Sequence, residues 1–343
     1  MMNSIQHVKW DHGSFDVHLL GGMLAGVELE TAGRRIKPFY EAAWIGDGTK
    51  AEPPLLNNLR SEFPCVPFGV PYAPESVLEA WQASVGAPVD ASDGPLEPID
   101  ALLHGYCSNY DWTLIERSDL GVHIAIDYPE TSAIRRLTRT VTADPNAAAI
   151  DFSLTIEARA KGRRPIGLHP NLALPSIAGA LRLEPGAYKF GFVHPAGPEP
   201  GVSRAVAGAV FDRIQSVPMR EGGTAAFDRL PFAYDTEEIL QLCGTDGRVG
   251  LEDEEQGVRY QLTWDAEVLP SLLLWISNRG RSYEPWSGRN LCLGVEPLAA
   301  AFDLGLNASL ASNPINERGV PTAVALTPET PINIAYRFEA SVP

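Results

Sequence analysis

The run Ile150-Asp151-Phe152-Ser153-Leu154-Thr155-Ile156-Glu157-Ala158-Arg159 alternates apolar and polar residues over ten positions without a slip. A period of two puts every apolar side chain on one face of an extended chain, so one face is buried and the other wet. This is the pattern of a half-exposed antiparallel strand. Val258-Arg259-Tyr260-Gln261-Leu262-Thr263-Trp264 repeats it, and the polar stretch Glu254-Glu255-Gln256-Gly257 turns the chain back from Val249-Gly250-Leu251, which predicts a hairpin. Further strands are expected over Val122–Tyr128, Tyr188–Val193 and Asn333–Phe338. Helical periods are few, and the best of them, Pro74–Trp81, is short.

Strands throughout, with no glycine-rich strand-to-helix turn, predict an all-β fold: a large antiparallel two-sheet β-sandwich with few short helices. Its 343 residues are read as one domain spanning 1–343. The Pro/Gly-rich stretches 86–98 and 194–200 are expected to be loops, because strands of the same character continue on both sides. Twenty-nine prolines and 31 glycines are spread along the chain, as frequent turns require.

Charge narrows the function. Lys and Arg total 27 against 43 Asp and Glu, a net charge of -16, so a nucleic-acid backbone would be repelled and no nucleic-acid partner is expected. Cys65, Cys107, Cys243 and Cys292 are far apart and form no CxxC pair, which predicts reduced, buried thiols. His7, His12 and His18 lack a metal-ligand spacing, so no metal is expected. The start Met1–His7 has neither a basic nor an apolar stretch of signal length, and no later run approaches a membrane span. The expectation is a cytoplasmic protein, monomer or homodimer, with no membrane partner.

Three short settings carry the chemistry: His104 in Leu103-His104-Gly105-Tyr106, His169 in Leu168-His169-Pro170-Asn171, and Glu296 in Gly294-Val295-Glu296-Pro297. A carboxylate and imidazoles can exchange protons with a small polar substrate near neutral pH without a cofactor. Each residue also has an ordinary reading, as a capping carboxylate, a turn residue or a core imidazole. The late cluster Trp275, Tyr283 and Trp286 around Arg279, Arg281 and Arg289 could line a sugar cleft, since aromatic faces stack on a pyranose.

Taken in order, Asn57-Asn58-Leu59-Arg60, Pro64-Cys65-Val66-Pro67-Phe68-Gly69, His104-Gly105-Tyr106 with Trp112, Gly167-Leu168-His169-Pro170-Asn171-Leu172 and Gly294-Val295-Glu296-Pro297 resemble the aldose 1-epimerase (galactose mutarotase-like) family over residues 15 to 340. The resemblance implies the supersandwich fold of that family and a cofactor-independent isomerase that interconverts the α and β anomers of a monosaccharide. It implies Glu296 as base on the anomeric hydroxyl, His169 as acid on the ring oxygen and His104 as supporting imidazole. Arg60 and Asp235 would bind hydroxyls, with Asp246 and Asp253 as competitors for the aspartate role, and Trp275 would contact the substrate.

Two positions depart from the family pattern. Cys107-Ser108-Asn109 stands where many relatives carry an arginine, which argues against a hexose 6-phosphate, and Asn171 stands where an aromatic is usual. The Arg60 segment itself is more similar to the phosphate-sugar branch. These departures motivate an alternative, a non-catalytic sugar-binding or sensor protein of the same fold. A third reading, a sandwich-fold lyase or hydrolase, would need a second catalytic group such as Asp235.

Overall fold

A computed structural model of the chain describes residues 4–199 and 201–343. The decisive run becomes the strand Ala149–Ala158, in which Ile150, Phe152, Leu154, Ile156 and Ala158 are all buried. Its neighbours are Ile134–Ala143 on one side and Ile332–Ser341 on the other, both antiparallel. Val258–Trp264 alternates buried and half-buried residues as its sequence does, and it pairs with Arg248–Asp253 across the expected hairpin turn. These strands belong to a nine-stranded antiparallel sheet that runs from Arg229–Leu230 at one edge to Thr113–Arg117 at the other.

An eight-stranded sheet carries Thr236–Cys243, Ser271–Asn278 and Leu291–Ala299 at its centre, with Ile166–Leu168, Asn171–Ala173 and Pro64–Cys65 beyond them. The three central strands are buried on both faces. One face, including Leu240, Leu242, Leu274, Ile276, Leu293 and Val295, joins the core shared with the nine-stranded sheet. The opposite face, with Ile239, Leu273, Trp275, Cys292 and Leu298, forms a second core under the segments that hold Trp44, Leu55, Trp81 and Phe302. A strand buried on both faces reads as a continuous apolar run, so a polar side chain on the second face stands out as one with a task. A separate four-stranded meander, Ile5–Trp10, Gly13–His18, Met23–Thr31 and Arg34–Ile36, opens the chain.

Helices are short: Pro54–Asn57, Glu79–Val85 and Gly305–Leu310. The helix expected over Pro74–Trp81 is broken in two. Pro74–Ser76 is a single 3₁₀ turn, Val77 is extended with its side chain buried, and the α-helix starts at Glu79. The Leu78 N–H donates to the Pro195 carbonyl in a neighbouring loop, so a tertiary bond takes the place of a helical one. The 86–98 stretch is irregular, with a 3₁₀ turn at Ala91–Asp93 capped by Asp90. Of the 194–200 loop, Pro200 lies outside the described residues, as do residues 1–3 of the N-terminal segment. All four cysteines are free and buried. Among the described residues no helix is long and apolar enough to cross a membrane.

An ion pair ties the two sheets to the site. Arg139, from the strand Ile134–Ala143, is fully buried against Glu62, whose Oε1 also accepts from the Tyr336 hydroxyl at 2.7 Å. Glu62 is held further by its carbonyl, which accepts from Leu24 N–H at 2.8 Å. The next residue, Phe63, belongs to the site.

Candidate active site

Register brings the distant residues together. Gly167 pairs with Leu298 and Asn171 with Gly294 on the same strand, Leu291–Ala299, so continuing that register puts His169 opposite Glu296. Cross-strand neighbours lie within roughly 5 Å at their Cβ atoms, close enough for side chains to meet. They do: His169 Nε2 is 3.4 Å from Glu296 Oε1, with both side chains buried. The pair stands side by side on the second face of the eight-stranded sheet, because strand pairing sets the separation.

Gly294 is required by this arrangement. A Cβ at 294 would lie 2.2 Å from Glu296 Oε1, so only glycine leaves room for the carboxylate to lie along its own strand. The His169 ring is clamped by stacking on Phe63 at 4.6 Å between centroids, and Trp275 meets its edge at 5.9 Å. Asn171 locks the turn from its buried position, donating to the Arg60 carbonyl at 3.0 Å and the His169 carbonyl at 3.2 Å. Here the side chain that replaces the family's aromatic is a backbone fastener.

His104 has a left-handed backbone, with φ of 57°. A non-glycine residue held there stores strain that the surroundings must offset. Ser108 Oγ donates to the His104 carbonyl at 2.7 Å, and Asn109 Nδ2 donates to the carbonyls of Leu103 and Gly105 at 2.8 and 2.7 Å. Two residues of the Cys107-Ser108-Asn109 stretch therefore hold this turn. Gly105 follows at φ +81°, and a Cβ there would sit 2.3 Å from the Val66 carbonyl oxygen. His104 Nδ1 accepts a 3.4 Å bond from Gly69 N–H, which fixes the neutral tautomer and leaves Nε2–H as a donor.

These groups line a cavity of about 230 Å³ whose walls include His104, His169, Glu296, Trp275, Arg281 and Asp303. His169 Nδ1 and Glu296 Oε1 are buried without a hydrogen-bond partner from the chain. An unpartnered buried polar atom costs roughly 1–3 kcal/mol, so two of them on one lining mark these residues as candidates for a role beyond packing.

Burial shapes the protonation of the site. It pushes the Glu296 carboxyl well above the ordinary carboxylate range, helped by the charge of Asp303. It pulls His169 well below its ordinary value, with His104 adding to the effect. It brings His104 down to about 4. Asp303 behaves oppositely. Burial alone would raise it, but His194 Nε2, 2.8 Å from Oδ1, and the Tyr72 hydroxyl, 3.1 Å from Oδ2, hold it below its usual value. His194 Nδ1 accepts from Ala196 N–H at 3.2 Å, which leaves Nε2–H as the donor to Asp303.

Two expected hydroxyl binders are elsewhere. Arg60 does not line the cavity. Its guanidinium pairs with Glu41 at 3.2 Å, and after burial its charge is the next cause that lowers the pKa of His18. Asp235 is exposed just before the strand Thr236–Cys243. The competitors Asp246 and Asp253 lie away from the cavity lining as well, paired with Arg248 and with Gln256.

Two carboxylates not foreseen in the sequence lie here: Asp303 lines the cavity, and Glu237, two residues beyond Asp235, is buried off the lining on the strand face that carries Ile239 and Trp275. Glu237 accepts from Ser277 Oγ at 2.6 Å and is pushed by burial to about 7, against the lowering effect of Arg281. A signal for Glu237 was present, a charged residue inside an apolar strand. Asp303 gave none, since its position follows from the loop after Ala299. Arg281 reaches the cavity over the Trp286 ring, 4.6 Å from its centroid, and lies 3.5 Å from Glu199. Arg289 instead pairs with Asp47, and Tyr283 is exposed.

No group of three or more His, Cys, Asp or Glu residues suited to a metal occurs among the described residues. His7 pairs with Asp16 at 2.7 Å.

No protein-family model matches the chain, and no curated protein matches it either. Solved structures do. An aldose epimerase homologue from C. elegans superposes with a TM-score of 0.65 at 13% identity, covering 99% of both chains. A galactose mutarotase-like protein from Lactobacillus casei gives 0.56 at 14%, with 98% of this chain and 99% of that one covered. Another from Clostridium acetobutylicum gives 0.58 at 13%, with 98% and 95% covered. At such identities the likeness is one of architecture, and it agrees with the antiparallel sheets described above: the chain has the galactose mutarotase-like β-sandwich fold.

Proposed function

We propose that the chain, acting as one domain over 1–343, is a cofactor-independent aldose 1-epimerase that interconverts the α and β anomers of a monosaccharide. The observation that carries this reading is the buried meeting of His169 and Glu296 at 3.4 Å, with unpartnered atoms on both and His104 on the same cavity wall.

Opening an aldose ring removes a proton from the anomeric hydroxyl and delivers one to the ring oxygen. Both oxygens are bonded to a single carbon, so an acid and a base standing side by side can serve them together. Burial favours the neutral pair, with the proton on Glu296 and His169 uncharged, because neither charged form is solvated. Transfer to His169 Nε2 creates the reactive carboxylate and imidazolium. The raised Glu296 is then a stronger base than a free carboxylate, and the lowered His169 a stronger acid than a free imidazolium. Glu296 takes the anomeric proton as the ring C–O bond breaks, and His169 protonates the ring oxygen. His104 Nε2–H supports that oxygen as a neutral donor. Rotation of the freed aldehyde and reversal of both transfers closes the other anomer.

Anomer relaxation tests the proposal. Optical rotation of freshly dissolved α sugars should relax faster with the protein, and Glu296→Gln and His169→Ala should each lower kcat/KM by about 10² or more while remaining folded. Losses of only a few-fold in both would reassign the roles. No acceleration combined with calorimetric sugar binding would favour the non-catalytic binder.

A further inference from the structure

One wall of the cavity is made by Leu55, Leu56, Leu59 and Leu103, and it offers a ligand nothing polar. Backbone groups could supply hydrogen bonds in place of side chains, but four of those along this wall are engaged internally. Leu55 N–H donates to Asn109 Oδ1 at 3.1 Å, and the Leu56 carbonyl accepts from Trp44 Nε1 at 2.9 Å. The Leu103 carbonyl accepts from Asn109 Nδ2 at 2.8 Å, and that of Leu59 accepts from Ala42 N–H at 3.0 Å. The polar groups are gathered elsewhere on the lining: His104, His169, Glu296, Asp303, Tyr72 and Arg281.

A bound pyranose would use this set unevenly. Its anomeric hydroxyl and ring oxygen are taken by Glu296 and the two histidines, and its remaining hydroxyls have only Asp303, Tyr72 and Arg281 to meet. Asp303 and Tyr72 already bond to each other, and Asp303 also to His194, so each has reduced capacity. Charge excludes another class. Among the described residues Arg281 is the one guanidinium or ammonium group on the lining, its charge is opposed by Glu199 at 3.5 Å, and the Asp303 carboxylate faces the same space. A sugar phosphate or uronic acid would therefore meet a single cation already opposed by Glu199, with the Asp303 charge beside it.

Resting on the epimerase reading, we infer that the substrate is a neutral 6-deoxyhexose, a pyranose whose methyl group packs on the leucine wall where an ordinary hexose would bury a hydroxymethyl. Burying an unpartnered hydroxyl against such a surface costs roughly tenfold or more, whereas a methyl gains from the same burial.

The test is anomer exchange measured by saturation-transfer NMR. The panel holds 6-deoxygalactose, 6-deoxyglucose and 6-deoxymannose in both enantiomeric series, each beside its parent hexose, with galacturonic acid and glucose 6-phosphate. The expected result is a kcat/KM at least tenfold higher for one deoxy sugar than for its own parent, and no acceleration of the two anionic sugars. Parents turned over as well as or better than their deoxy partners would overturn the inference and leave the epimerase reading intact. No acceleration of any sugar would remove that reading, and the inference with it. Leu56→Ser and Leu103→Ser, at half-buried positions, should each reduce the deoxy-to-parent ratio at least threefold. A ratio unmoved by both overturns the assignment of the leucine wall.

Discussion

In the proposed mechanism Glu296 serves as base in an orientation that Gly294 makes room for. In Gly294→Ala the new methyl meets the carboxylate, and the expected result is a loss of activity of about 10² with a stability cost of roughly 1–3 kcal/mol, read from anomer exchange and urea unfolding. The pH dependence follows from the same burial. The pair is competent with one proton between its members, so the alkaline limb of kcat/KM lies where Glu296 loses that proton, above the ordinary carboxylate range, and the acid limb where His169 gains a second, below the ordinary imidazole value of 6.5. An acid limb at or above pH 6.5 would mean that His169 is not the acid. Glu237 tests the electrostatics separately. Folded, it keeps its proton up to about 7; unfolded, it releases it near the ordinary 4.5. The folded state thus binds more protons in that window, and stability falls as pH rises through it. Glu237→Gln should therefore gain on the parent protein between pH 4.5 and 7, by up to about 3 kcal/mol, in urea melts at a series of pH values. His104, His169 and Glu296, which line the cavity, could be picked out in the sequence because each sits in a short, distinctive setting. Arg60 and Asp235 lie off that lining, because the direction of a side chain depends on its tertiary neighbours, here Glu41 and solvent.

At the scale of elements, alternation revealed the strands Ala149–Ala158 and Val258–Trp264 because one face of each meets the core and the other does not. The central strands of the eight-stranded sheet have no such signature, since both faces are covered, and from the sequence the second face that carries the site could not be separated from the first. The helix near Pro74 was misjudged because one bond from Leu78 to Pro195 outweighs the weak propensity of a short segment. The buried pair Arg139–Glu62 was also invisible, joining a strand of the nine-stranded sheet to the segment that delivers Phe63 beneath His169. Removing one partner strands the other charge. Arg139→Ala should cost about 3–5 kcal/mol in urea unfolding, whereas the double change Arg139→Met with Glu62→Leu should recover much of that loss. An equal loss in both would show that packing volume, not the orphaned charge, sets the cost.

For the molecule as a whole, two stacked antiparallel sheets put residues 127 positions apart in sequence, His169 and Glu296, side by side in a hollow closed by the segments after Trp44. The fold class could be read from periodicity, while the hollow, its leucine wall and Asp303 depend on how loops close over the sheet. The net charge of -16 and the Asp303 carboxylate on the lining act in the same direction, against anionic ligands. The claim that joins these features is that the His169–Glu296 pair moves protons on a sugar. Its most direct test is the rate of α-to-β exchange of neutral pyranoses at pH 7, followed by NMR with the intact protein and with Glu296→Gln at equal concentration. The account predicts exchange well above the spontaneous rate for at least one sugar with the former and near the spontaneous rate with the latter. Equal exchange with both proteins, or none above background with either, would contradict it.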